Sequence, residues 1–143
     1  EIELFTCMPK INSFVGSIDQ LVMRNDNFRE VLFTGEKSQL VVMSIPVGGE
    51  VGEETHEHVE QTLYIVSGIC DVVLDGNTTK VSGGDVVVVT PGTLHNFINS
   101  GNEVVKIITT YSPPNHIDGR VHATQADAEV DTEDEAFGEK YTS

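Results

Sequence analysis

Residues 69–89 read ICDVVLDGNTTKVSGGDVVVV. Two β-prone runs, Ile69 to Leu74 and Thr78 to Val81, flank Asp75-Gly76-Asn77, and Asp-Gly between such runs is a strong short-range hairpin signal. Gly83-Gly84 then opens the run from Asp85 to Val89, which Pro91-Gly92 closes. Four consecutive valines predict a strand buried on both faces.

The same rhythm of short strand and turn continues outward. Upstream, Leu40 to Val47 reads as a strand broken by Gly48, Gly49 and Gly52, and Thr62 to Val66 is stopped by Gly68. Downstream, His95 to Ile98 and Val104 to Tyr111 are separated by the turn cluster Asn99-Ser100-Gly101-Asn102. Strands of this length, with turns between them and no helix, predict an antiparallel sandwich or barrel and exclude a βαβ sheet. Composition agrees, since 20 Val and 10 Ile against 7 Leu and 4 Ala favour pleated, half-buried surfaces. The chain of 143 residues is large enough for one packed core and too small for two ordinary domains.

The ends differ from the middle. Before residue 30, Ile2 to Cys7 and Ile18 to Met23 are short apolar pieces punctuated by Pro9, Gly16 and Asn25-Asp26-Asn27, and they predict short edge strands. After Tyr111, Pro113-Pro114 ends the strand register. Residues 124–136 suggest one short solvated helix, or disorder beyond about residue 130, so the acidic end is expected to be dispensable for folding.

The formal charge is −15, and residues 125–143 alone carry seven acids and one base. Such a balance opposes binding to phosphate backbones and anionic lipid surfaces, so neither nucleic acid nor membrane is an expected partner. No apolar run approaches the roughly 20 residues needed to span a bilayer, and no basic-then-apolar leader precedes the first strand-like stretch. Cys7 and Cys70 are too few for a disulfide framework or a thiolate zinc site, and reduced thiols in the cytoplasm are expected.

Candidate chemistry centres on His56 and His58. On a regular strand their spacing points both imidazoles to one face, which Glu54 and Glu60 share. Gln61 follows closely, and His95 stands just beyond the Pro91-Gly92 bend. Three ring nitrogens and one oxygen suit a first-row transition metal with positions left open. The plainer alternative is a glutamate-rich loop whose histidines face water. Glu53 and Glu57 read as solvated, Tyr64 and Phe97 as core aromatics, and His116 and His122 either fold over the barrel mouth or lie on the surface.

Two longer stretches bring a resemblance. Gly49 to Gly68, GEVGEETHEHVEQTLYIVSG, resembles the first motif of the cupins, and Gly84 to Asn99, GDVVVVTPGTLHNFIN, resembles the second, with Thr90 where the family usually has proline. The first motif departs in its spacing: only two residues separate His58 from Gln61, and counting back from Gly68 puts Gln61, not Glu60, at the position of the usual glutamate ligand. The resemblance covers roughly residues 36–112, and with GEETH, HNFINSGNE and YSPPNH it extends to a group of small bacterial single-domain cupins, many labelled sugar-phosphate isomerase-like on fold grounds alone.

The resemblance implies an all-β, cupin-type jelly-roll β-barrel over residues 36–112, an N-terminal arm with edge strands over 1–35, and a C-terminal acidic extension over 113–143. It implies one divalent transition metal (Mn, Fe, Ni or Zn) held by His56, His58, Gln61 and His95, with the choice between His58 and Glu54 left open by the shortened spacer. The expected chemistry is isomerase-type Lewis-acid catalysis on a small oxygen-bearing substrate such as a sugar or a keto or hydroxy acid, with Glu54 or Glu60 as base. Two alternatives stand beside it, an iron-dependent dioxygenase and a non-catalytic small-molecule binding module. A homodimer is expected, because an open jelly roll exposes sheet edges.

Overall fold

The computed structural model of the chain describes residues 13–142. The apolar piece Ile2 to Cys7 therefore lies outside the described residues. In chain order the elements are helix α1 (Ile18–Met23), strands β1 (Arg29–Thr34), β2 (Gln39–Ile45), β3 (Glu60–Ser67), β4 (Ile69–Leu74), β5 (Asn77–Ser82), β6 (Val86–Val89), β7 (His95–Asn99), β8 (Val105–Ser112) and β9 (Val121–His122), and helices α2 (Gln125–Glu129) and α3 (Thr132–Thr142). They form a six-stranded sheet in the order β6-β3-β8-β2-β1-β9 and a three-stranded sheet in the order β5-β4-β7. The fold is the all-β jelly roll that the resemblance implies, built as two antiparallel sheets with short C-terminal helices.

The core lies between the sheets. Val41, Met43, Ile45, Leu63, Ile65 and Ile107 enter it from the larger sheet, and Cys70, Val72 and Phe97 from the smaller. Alternation along β3 shows how sequence sets the faces: Gln61, Leu63 and Ile65 point inward, while Glu60 and Tyr64 are exposed. The β4–β5 hairpin forms as the Asp-Gly pair requires. Asp75 and Gly76 take φ of 49° and 84°, both left-handed, and Leu74 pairs with Asn77 across the turn. Burial pushes the Cys70 thiol up to about 11, which leaves it inert at neutral pH.

Two expectations about the strands change. Ile18–Met23 is a helix and not a strand. The Ser17 hydroxyl caps it by accepting from the Gln20 amide, and Val22 packs with Val42 and Ile108 on the outer face of the larger sheet. The valine run is a strand buried on one face only, since Val87 and Val89 enter the core while Val86 and Val88 are about half exposed. β6 is the end strand of its sheet, and α1 covers β2 and β8 instead. The strands buried on both faces are β2 and β8, where Val41, Met43 and Ile107 face the core while Val42 and Ile108 face α1.

The C-terminal segment also departs from expectation, because it is ordered and docked. Asp134 of α3 is buried and accepts hydrogen bonds from His116 Nδ1 and the Ile117 amide, both at 2.7 Å. Asp131 holds His122 Nε2 at 2.8 Å. Gly138 sits so close to the 113–119 loop that an added Cβ would lie 2.9 Å from the Asn115 carbonyl oxygen, so only glycine permits this approach. An amphipathic apolar stripe, the usual means of seating a helix, is replaced here by buried polar contacts.

Candidate metal centre

Residues 49–54 run antiparallel beside β7 without forming a regular strand. The Val51 amide donates to the Phe97 carbonyl, and Glu54 and His95 exchange both backbone hydrogen bonds at 2.9 Å. This reciprocal pair of hydrogen bonds between Glu54 and His95 fixes the two side chains next to each other. His56 follows two residues on, and its carbonyl accepts from the Gly92 amide at 2.8 Å. The turn at Pro91-Gly92 therefore positions an imidazole from the other motif as well as leading into His95.

One ligand atom from each of Glu54, His56 and His95 lies within 4.8 Å of the other two. His56 Nε2 stands 3.1 Å from Glu54 Oε1, and His95 Nε2 stands 3.9 Å from the same oxygen. His95 is almost wholly buried, and its Nδ1 lies 2.9 Å from the Thr93 carbonyl oxygen. A carbonyl only accepts, so Nδ1 carries the proton and Nε2 presents its lone pair toward Glu54. Burial lowers the pKa of His95, outweighing the Thr93 and Glu54 contacts that would raise it, and so favours the neutral, ligating form.

Glu54 shows the opposite balance. Its depth in the protein raises its pKa, yet the His56 hydrogen bond and the charges of Arg29, His56 and His95 prevail and hold it at about 2. About a third of its side chain is exposed, facing the interior of a cavity of about 680 Å3 lined also by His56, His58, Arg29 and His116. The carboxylate is thus both ionised and reachable.

The remaining candidates lie elsewhere. His58 is exposed on the cavity wall and outside the cluster, because a bend at residues 57 and 58 breaks the strand alternation that would have aligned it with His56. Of the two residues between which the shortened spacer left the choice open, Glu54 is the one that stands with His56 and His95. Gln61 is buried on the inner face of β3, opposite Tyr111, and its Nε2 donates to Thr109 Oγ1 at 3.1 Å, a bond that does not involve the amide oxygen. Glu60 is exposed at the start of β3, on the face opposite Gln61, and does not line the cavity.

One buried residue near the centre, Arg29, escaped the sequence reading, and a second, His116, takes the first of its two expected places, over the mouth of the cavity. Arg29, at the start of β1, is 6% exposed and lines the cavity. Its parity with the inward-facing Val31 was the available signal. His116 is 7% exposed, its ring 4.8 Å from that of Tyr111 in an edge-on arrangement. Burial and the Arg29 charge pull its pKa down to about 4 against the opposing pull of Asp134.

A second triplet, His122, Asp131 and Asp134, has comparable spacing. Its members are already engaged, Asp131 with His122 and with Arg120 Nε at 3.4 Å, and Asp134 with His116 and Ile117. These contacts clasp α3 to the body of the protein.

Comparison with known proteins agrees with this fold. The family model for the cupin domain matches residues 41–111. The Bacillus subtilis protein YrkC is 39% identical over 121 residues, which is 80% of this chain and 65% of that protein, so the chain spans just under two thirds of its relative's length. MJ1618 of Methanocaldococcus jannaschii is 31% identical over 91 residues, covering 63% of this chain and 73% of that one. Among solved structures, BH2720 from Bacillus halodurans superimposes with a TM-score of 0.81 at 35% identity, over 82% of this chain and 94% of that one.

Proposed function

Since the chain belongs to the cupin superfamily, we propose that its inner cavity holds one divalent transition metal, Mn, Fe, Ni or Zn, and acts on a small oxygen-bearing substrate such as a sugar or a keto or hydroxy acid. The observation that carries this reading is the convergence of Glu54, His56 and His95 on one point inside a cavity large enough for such a molecule. The donor set fits the ion, because two imidazoles and a carboxylate suit first-row divalent metals and leave positions open. Gln61, with its amide oxygen uncommitted to Thr109, is the fourth candidate ligand, and His58 is a wall residue.

A metal bound there supplies Lewis acidity toward a carbonyl or hydroxyl oxygen. The protein's own residues do the rest. The Thr93 carbonyl keeps His95 in one tautomer, and the Glu54–His95 backbone pair keeps carboxylate and imidazole in register. Isomerase-type chemistry also needs a proton acceptor beside the substrate. Glu60 lies apart from the cavity, so between the two glutamates that role falls to Glu54 if it is not consumed as a ligand.

Elemental analysis and turnover of Glu54→Gln separate the two roles. Loss of metal assigns Glu54 to the donor set, whereas retained metal with lost turnover assigns it to proton transfer. The proposal as a whole predicts about one metal per chain in protein purified without chelators, and loss of most of it in His95→Ala. Metal retained by His95→Ala at the parent level overturns the reading. The iron-dependent dioxygenase and the non-catalytic binding module share this metal site, and anaerobic assays with added iron distinguish the former.

A further inference from the structure

Arg29 is a cation held almost wholly inside the protein, and its surroundings do not neutralise it by contact. Among the described residues no carboxylate lies within ion-pair distance of its guanidinium, and Nε has no hydrogen-bond partner. The residues that could have paired with it are committed elsewhere. Glu54 turns to His56 at 3.1 Å, and Asp134 takes both His116 Nδ1 and the Ile117 amide at 2.7 Å. Their charges reach Arg29 only as a field, and the direct contacts of the guanidinium are to the Tyr111 hydroxyl and, through its carbon 5.1 Å from the ring centre, to the face of Phe28.

A buried charge without a contact partner is costly, and such groups stand where a ligand completes them. Arg29 lines the same cavity as the Glu54, His56 and His95 cluster. A guanidinium presents a planar fork of N–H donors matched to a carboxylate, whereas it has no comparable fit to a hydroxyl. The neighbouring ring of His116, buried with Nε2 unpartnered and Nδ1–H donated to Asp134, is an acceptor in the same neighbourhood.

We infer that Arg29 is the anion anchor of the cavity and that the molecule bound there is a small monocarboxylate carrying further hydroxyl or carbonyl oxygens. This deepens the reading above, on which it rests for the second end of the substrate, but the Arg29 contact does not itself require the metal. Charge selects the monoanion: one buried cation balances one negative charge, and the other charged groups on the wall, including Glu53, Glu57 and Glu129, leave a phosphate dianion uncompensated.

Gluconate, its neutral alditol glucitol, and glucose 6-phosphate form a suitable probe set for the full chain, measured by calorimetry with and without prior chelation. The parent should bind gluconate at least tenfold more tightly than glucitol in both states, since a charge-assisted pair in a buried setting is worth about tenfold to a hundredfold. Arg29→Met should lose that preference while keeping its metal content, and Arg29→Lys should keep part of it. Equal affinity of the parent for gluconate and glucitol overturns the inference, as does an Arg29→Met variant that binds gluconate like the parent. Tighter, Arg29-dependent binding of glucose 6-phosphate overturns the assignment to a carboxylate.

Should Arg29→Met fail to fold, the Nε–H resonance of Arg29 in the parent decides, identified by its absence from Arg29→Lys. It should shift with gluconate and stay still with glucitol, and no shift with either refutes the anchor. Loss of metal in His95→Ala with gluconate selectivity intact keeps the two readings separable.

Discussion

Acid should unfold this protein through His116, and the size of the effect can be worked from its surroundings. The imidazole is buried against Tyr111, faces the Arg29 cation, and feels Asp134 and Glu54 as opposing charges. Burial dominates and Arg29 adds to it, so the folded-state pKa falls from 6.5 to about 4. A histidine with a depressed pKa stays neutral in the native state while the unfolded chain takes up a proton. Between pH 6.5 and 4 the unfolded state therefore binds more protons, and stability falls as pH falls through that window. At about 1.4 kcal/mol per pH unit, the full loss is about 3 kcal/mol, complete near pH 4 and absent above pH 7.

The perturbation is His116→Gln, whose amide nitrogen can still donate to Asp134 but does not titrate. Urea denaturation at pH 7, 6, 5 and 4 gives the stability of each form. The variant should be less stable at pH 7, by about 1 to 2 kcal/mol for the altered hydrogen bond and packing. Its decline toward pH 4 should nonetheless be shallower than the parent's by about 3 kcal/mol. The lowered pKa of Asp134 acts in a different window, below the ordinary carboxylate value near 3.8, and does not mask the result. Parallel pH profiles for parent and variant would refute the assignment of a neutral buried His116.

Removal of residues 131–143 takes Asp131 and Asp134 from His122 and His116, and it should lower stability by about 2 to 4 kcal/mol, read as a fall of roughly ten degrees in Tm; a change of only a degree or two would return the segment to a dispensable tail. Gly138→Val, which drives a side chain into the Asn115 carbonyl, should reproduce part of that loss in thermal unfolding, and an unchanged Tm would show that α3 does not seat on this loop. Metal affinity measured by competition with a chelator should weaken on acidification, because a protonated imidazole cannot ligate, with the loss at His95 falling below the ordinary histidine range since burial lowers its pKa, and a flat profile would argue against histidine ligands. A second copy of the chain is the proposed cover for the β6 edge, which no further strand among the described residues pairs and where Val86 and Val88 are exposed, so sedimentation should show a homodimer at tens of micromolar, and a monomer there would count against it.

The second motif was legible because its geometry is local. Gly84, Pro91-Gly92 and His95 lie within one strand, one turn and the start of the next strand, where turn chemistry and the period of two apply directly. The first motif was half legible. Strand parity placed His56 and His58 together, but parity holds only while the backbone stays extended, and residues 51–59 are a loop with a bend at 57 and 58. Arg29 could have been suspected from its alternation with Val31. The His116–Asp134 pair could not, because the partners are separated by β9 and α2 and meet only after α3 docks. The valine run misled for a related reason: four valines make both faces of a strand apolar and leave open whether both are covered.

Backbone pairing, more than the spacing of the histidines, explains how a shortened first motif still builds a compact donor set. Glu54 is held by its double hydrogen bond to His95, His56 by the Gly92 amide, and the His95 ring by the Thr93 carbonyl. Each anchor comes from the segment between β6 and β7 or from the start of β7. A one-residue change in the loop before β3 is then absorbed at the bend, turning His58 out to the cavity wall without moving Glu54 or His56 away from His95. The position that tolerates change is His58, and the positions that do not are those whose main chain is tied to the second motif. This ordering makes His58→Ala the mild substitution and Glu54, His56 and His95 the severe ones, a ranking that metal content across the four alanine variants measures directly; a His58→Ala loss equal to that of His95→Ala would contradict it.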